Sequence, residues 1–273
     1  MTTTTTTETP LPSLAAVYRS RAGVELKEFF RQRESVVFTL MLPVLLLVTF
    51  GAVLTYEIGD GISFVEYFTP GIIAAGILGA SLQNMAISIA TERSDGTLKS
   101  LYGTPMPRSA YFIGKVVQVL AVSLGIVAVL LLIAVVFYDV PLPSGGGWLT
   151  FAWVAVLGAA ACTLLGIAVS SLAKNGRSAS ATVTPIALVL QFISGVFFQF
   201  SALPEWMQTV AAFFPLKWMT QGLRSVFLPD ALAAAEPAGS WELGRVALVL
   251  IAWCAAGLVL CVLTFRWQEK GAG

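Results

Sequence analysis

The chain has 273 residues, of which 57% are hydrophobic and 11% charged, against about 45–50% and about 25% in soluble domains. Its 16 Lys+Arg and 15 Asp+Glu leave a net charge of +1, which excludes a basic surface for nucleic acid. It has no His, which excludes His-based acid–base catalysis, Ser-His-Asp triads and His metal sites. An ordinary soluble enzyme is thereby excluded, and a polytopic all-α membrane protein is expected.

Residues 1–12 are a Thr-rich polar tail without the basic-then-apolar order of a signal peptide. Disorder is expected there. Residues 13–34 place Leu14, Tyr18, Ala22, Leu26 and Phe29 on one helical face, with basic residues around them. This spacing predicts an amphipathic helix at the cytoplasmic membrane surface, although a basic stop that only sets topology fits the same residues.

Residues 35–273 form the expected transmembrane domain. Six segments approach the roughly 20 apolar residues needed to cross a bilayer. They are Val36–Thr55, Gly71–Ala90, Val116–Tyr138, Phe151–Ser170, Ala179–Phe200 and Val246–Phe265, and none contains Asp, Glu, Lys or Arg. A charge at the centre of a span costs on the order of 3 kcal/mol. Continuous apolar runs select helices over the alternation of a barrel.

Thirteen Lys and Arg fall on one side of this arrangement. They lie before the first span, between the second and third, between the fourth and fifth, and after the sixth. Lys217, Arg224 and Arg245 fall on the other. The asymmetry predicts cytoplasmic termini in a plasma (inner) membrane. In the external loop before the sixth span, residues 203–214 put Trp206, Val210, Phe213 and Phe214 on one side, and Pro215 breaks the helix. Twelve residues rise about 18 Å, too short to cross, so short re-entrant or interfacial helices are expected there. Trp206, Phe213 and Phe214 are candidates for an outer gate, or equally for an interfacial anchor.

Polar residues within the spans are few. In the second span Ser81, Asn84 and Ser88 share a face, and Gly76, Gly79 and Gln83 lie opposite at 100° per residue. In the fifth, Thr184, Gln191, Ser194, Gly195 and Phe198 share another. These faces either glue helices together or line a substrate route through Gln83, Asn84, Ser88, Gln191, Ser194 and Phe198. Cys162, Cys254 and Cys261 lie in apolar runs without metal spacing, and no metal site is expected. No Walker A sequence is present, because Ser109 stands where its first Gly would be, ahead of Gly114-Lys115. A chain that pumps must take its energy from elsewhere.

Two stretches carry a likeness. After the second span come Glu92-Arg93, Gly96-Thr97-Leu98, Thr104-Pro105 and Gly114-Lys115. Later come Leu203-Pro204, Trp206-Met207, Pro215-Leu216 and Leu223-Arg224, with Glu205 where Gly is frequent. Together they resemble the ABC-2-type transporter permeases, the membrane subunits of ATP-binding-cassette exporters of the daunorubicin-resistance group.

The resemblance implies a non-enzymatic permease subunit that moves a drug, lipid or glycolipid outward. A separate nucleotide-binding ATPase, in two copies, would bind the ATP and Mg and power it; no cofactor is expected in this chain. A second permease copy or a paralogue would complete the complex, surrounded by membrane lipids. The resemblance also implies an ATPase-coupling loop at Glu92, Arg93, Asp95, Gly96, Thr97, Leu98, Lys99, Thr104 and Pro105. A secondary transporter or passive channel is the alternative.

Overall fold

The computed structural model describes residues 13–59 and 61–265. The expected tail at 1–12, together with Asp60, Arg266 and Lys270, lies outside the described residues. Ten helices form the described part. They are α1 (Leu14–Arg31), α2 (Val37–Val53), α3 (Phe64–Ser94), α4 (Thr97–Tyr102), α5 (Arg108–Tyr138), α6 (Gly147–Ser170), α7 (Gly176–Ile193), α8 (Glu205–Phe213), α9 (Pro215–Phe227) and α10 (Leu243–Thr264). A two-stranded antiparallel ribbon, Glu57–Gly59 with Ile62–Ser63, precedes α3.

Local chemistry starts several of these helices. Ser13 Oγ accepts from Ala16 N–H at 3.3 Å ahead of α1. Ser63 does the same for Glu66 at 3.2 Å ahead of α3. Asn175 and Ser178 cap α7 reciprocally, at 2.8 and 3.1 Å. Each cap satisfies amide groups that have no partner in the first turn.

Four helices are long and apolar enough to cross a bilayer: α3, α5, α6 and α10. The other two expected spans are shorter or more polar. Val37–Val53 is an apolar helix of fewer than 18 residues. In α7 the first half carries Arg177, Ser178, Ser180, Thr182 and Thr184.

The core is built around α3. Almost all of its first fifteen residues are buried, and it packs against α2, α5, α6, α7 and α9. The outermost of the long helices, α10, lies along α6, and α1 lies along the start of α5.

Several helices end elsewhere than the expected spans. The second span begins at Phe64 and ends at Ser94, well outside Gly71–Ala90, and so takes in Glu66 and Glu92. The third begins at Arg108, before Val116. Hydropathy marks the apolar part of a helix, whereas backbone hydrogen bonding continues into charged turns whose side chains have partners. The fifth stops at Ile193, short of Phe200, because Gly195 takes a left-handed conformation (φ +74°) and turns the chain. Lastly, Lys217 and Arg224 are not exposed loop cations. They lie on α9, which is buried against α3, α6 and α10. Pro215 ends α8 and occupies the first position of α9, where a missing N–H costs nothing. The result is a helical hairpin set into the bundle. Gln221 Nε2 donates to Trp241 O at 2.9 Å, Lys217 donates to Gln221 and Arg224 donates to Gly195 O, so much of the polar side of α9 is satisfied internally.

Candidate functional site

At the end of the bundle where α3 meets α5, charged side chains from three helices converge. Glu92, near the C-terminus of α3, is ion-paired with Lys115 of α5. It also accepts from Tyr111 Oη at 2.9 Å and from Ser88 Oγ at 2.8 Å. Lys115 Nζ reaches Glu25 of α1 at 2.7 Å, and Glu25 in turn pairs with Arg21. All four charged side chains are nearly inaccessible. Two cations and two anions make the set neutral, and this is what makes its burial tolerable.

Gly114 lets the helices meet, since a Cβ there would stand 3.0 Å from Glu25 Cγ and 3.1 Å from Arg21 Cγ. Burial raises the Glu25 carboxyl above its ordinary range, against the opposing pull of Lys115. The oxygens of Glu25, Glu28 and Glu92 come within 4.8 Å of one another, a spacing a divalent ion could use. The Lys115 ammonium already neutralises Glu25 and Glu92.

Glu92 pairs across helices with Lys115, and Arg93 donates to Ser170 O and Oγ at 2.9 and 3.1 Å. Asp95 Oδ1 accepts from Thr97 N–H at 2.9 Å and opens α4. Gly96 has φ +83°, a conformation that L side chains rarely adopt. Leu98 is fully buried and pins α4 to the bundle, whereas Lys99, Tyr102, Thr104 and Pro105 are exposed. Arg21, Glu25, Tyr111 and Lys115 were missed by the sequence reading. The only signal for them was the Gly114-Lys115 pair and the phase of Arg21 with Glu25 on one side of α1.

The network ranks its two carboxylates. Glu92 accepts from three donors and Glu25 from two, and burial already disfavours the Glu25 charge. Glu92→Gln is therefore expected to lower the melting temperature of the purified protein more than Glu25→Gln. Scanning fluorimetry of the two variants side by side checks the order, and a larger drop for Glu25→Gln would refute it.

A second feature is a cleft of about 470 Å3 between α2, α3 and α7. Pro43, Gly76, Gln83, Asn84, Thr184 and Gln191 are among its walls. Gln83 and Asn84, placed on opposite faces by the sequence reading, share this cleft. They are consecutive residues, about 100° apart, and the cleft is wide enough to span both; a π-helical turn at Gly79–Gln83 immediately precedes Asn84. Asn84 Nδ2 is buried without a hydrogen-bond partner among the described residues. Ser88 belongs to the charge network instead. Ser194 is buried just past the end of α7, and Phe198 is exposed beyond it; neither lines the cleft.

Of the three outer aromatic residues, Phe213 and Phe214 pack on Trp253 of α10, with ring centroids 5.3 and 6.4 Å away. Trp253 Nε1 donates to Phe213 O at 2.7 Å. Trp206 is exposed and apart from them.

Long apolar helices around a polar-lined cleft, with a charged and buried joint at one end, define a membrane transport component. Residues 22–228 match the ABC-2 type transporter family, and the chain belongs to it. It is 26% identical over 234 residues to the inner membrane transport permease YadH of Escherichia coli K12, covering 83% of this chain and 90% of that protein. It is 20% identical over 199 residues to the putative transport permease YvfS of Bacillus subtilis, covering 73% and 80%. It is 27% identical over 146 residues to the probable multidrug ABC transporter permease YbhR of Escherichia coli K12, covering 54% and 39%. The family is a membrane transport component that associates with an ABC ATPase subunit, and it is not a catalytic enzyme.

Proposed function

We propose that this chain is the permease subunit of an ATP-driven exporter of amphiphilic molecules. The observation that carries the reading is α4, a short and largely exposed helix at one end of the bundle that follows directly on α3, whose Glu92 is locked to α1 and α5 in a buried charge network. A partner that pushes on α4 moves a rigid joint, because an ion cluster buried this closely has few alternative arrangements.

In this reading six helices cross the membrane, α2 and α7 included, and both termini are cytoplasmic. Residues 35–273 are the transmembrane domain and α1 lies at the cytoplasmic surface. Residues 92–105 receive the push of a separate ATPase subunit, present in two copies, which holds the ATP and Mg2+. Two permease chains, identical or paralogous, place their clefts on a shared route. Binding energy in the ATPase biases the pair between inward- and outward-open states. Gln83, Asn84 and Gln191 present amide groups, and Thr39, Ser180 and Thr184 hydroxyl groups, among apolar side chains, a lining suited to a drug, lipid or glycolipid. The unpartnered Asn84 donor would gain a partner from a polar group of such a cargo. The multidrug name of YbhR supports the drug among these. Trp206, Phe213 and Phe214 would close the outer end.

Co-expression with an ATPase encoded beside it, followed by reconstitution and transport of fluorescent amphiphiles, tests the reading. Transport that requires ATP supports it, and equal transport without the ATPase replaces it with a passive or secondary mechanism. Gly96→Pro sharpens the test, because Pro fixes φ near −65° where α4 requires +83°. The variant is expected to insert normally and to keep hydrolysing ATP in the complex, with most of its transport lost. Wild-type transport by this variant would reduce α4 to a passive turn.

A further inference from the structure

A second groove, of about 800 Å3, runs between α5, α6 and α10 on a different side of the bundle from the amide-lined cleft. Val116 and Leu120 of α5, Ala160 and Leu164 of α6, and Leu258 and Val262 of α10 lie along it. Its two buried polar groups are turned inward, since Thr163 Oγ1 donates to Ala159 O at 2.6 Å and Cys261 Sγ to Leu164 O at 3.0 Å. Among the described residues the wall therefore presents hydrocarbon along this stretch. At one end the chemistry changes abruptly to Arg108 and Ser109 at the first turn of α5.

We propose that this groove holds one acyl chain of an anionic glycerophospholipid, with the lipid phosphate on Arg108. Three observations agree. Arg108 and Leu120 are twelve residues apart on one helix, about 18 Å, close to half of a hydrocarbon core of about 30 Å. The groove thus has the depth of a single leaflet. It opens sideways, because Val116, Leu258 and Val262 are exposed on a helical bundle that lies in a membrane. Among the described residues its one charged group lies at the end where a headgroup would sit, and a guanidinium matches a phosphate in geometry and sign.

The site also has a link to the coupling region. Arg108 Nη2 donates to Tyr102 Oη at 3.2 Å, and its guanidinium lies 4.9 Å from the Tyr102 ring centroid. Tyr102 is the last residue of α4. A lipid phosphate on Arg108 therefore sits against the end of that short helix. The lipid would be a bound structural component rather than cargo, so the proposal does not depend on what the cleft transports.

The test uses the full chain, purified and stripped in mild detergent, then mixed with phosphatidylglycerol and phosphatidylcholine in equal amounts and examined by native mass spectrometry. The wild type is expected to retain one phosphatidylglycerol about tenfold over phosphatidylcholine, the scale of a single charge-assisted contact. Arg108→Gln, a surface change that leaves the core intact, is expected to keep one lipid and lose the preference. Ala160→Phe fills the groove and is expected to retain neither lipid. An unchanged preference in Arg108→Gln, or unchanged retention in Ala160→Phe, overturns the proposal. So does efficient disulfide formation between two copies of Val262→Cys in native membranes, because a second chain would then cover the groove.

Discussion

Lys115→Met is expected to prevent most of the protein from accumulating in a folded state. Lys115 is buried with Glu25 on one side and Glu92 on the other. Without it the two carboxylates face each other in a medium that screens them poorly, and Arg21 reaches only Glu25 among them. Removing one partner from a buried ion cluster costs about 3–5 kcal/mol, a large share of a typical stability of about 5–15 kcal/mol. The expected structural result is release of α1 from α5. Size-exclusion of the detergent extract measures accumulation, and trypsin cutting after Lys27 and Arg31 measures release. The triple variant Lys115→Met, Glu25→Gln, Glu92→Gln removes the uncompensated charges and is expected to recover much of the accumulation. Transport should stay low in that variant if the joint transmits force from α4. Wild-type accumulation of Lys115→Met alone would mean that the cluster contributes no net stability.

Arg224→Leu is expected to produce the second-largest loss. The guanidinium is 1% exposed and donates to Gly195 O. It also lies over Tyr67 of α3, with its carbon 3.9 Å from the ring centroid. One side chain of α9 therefore holds both the turn that ends α7 and the start of the central helix. A hydrogen bond from a charged donor contributes about 1.5–3 kcal/mol, and a desolvated cation–π contact about 2 kcal/mol. Part of this is offset because the leucine no longer has to bury a charge, so a net loss of about 2–3 kcal/mol is expected. Arg224→Lys should also fail, since an ammonium cannot stack flat while bonding the carbonyl. Thermal melting of the three proteins in the same detergent decides. If Arg224→Lys melts like the wild type, charge alone matters and the planar fork does not.

The way the cleft forms shows where local pattern stops being informative. A helical wheel at 100° per residue separates Gln83 from Asn84, and nothing in Gly-Ala-Ser-Leu-Gln marks the π-helical turn just before Asn84 or a cleft wide enough to span both side chains. Packing of α3 against its neighbours decides that turn. The same holds for the hairpin before α10. Trp206, Phe213 and Pro215 made α8 and its end legible. α9 buries Leu216, Trp218, Met219 and Leu223, but its Lys217, Gln221 and Arg224 look like an exposed face until their partners at Trp241 and Gly195 are known.

What the sequence determined by itself was everything governed by local chemistry. A composition poor in charge and without His excluded soluble enzymes, and long apolar runs specified α3, α5, α6 and α10. The spacing of Leu14, Tyr18, Ala22, Leu26 and Phe29 specified a helix at α1. Tertiary structure decided which charges meet. Glu25 and Lys115 are 90 residues apart and Glu92 and Lys115 are 23 apart, so no i, i+4 rule connects them. Their pairing exists only because Gly114 allows α1 to approach α5 closely enough for three charged helices to share one dry volume.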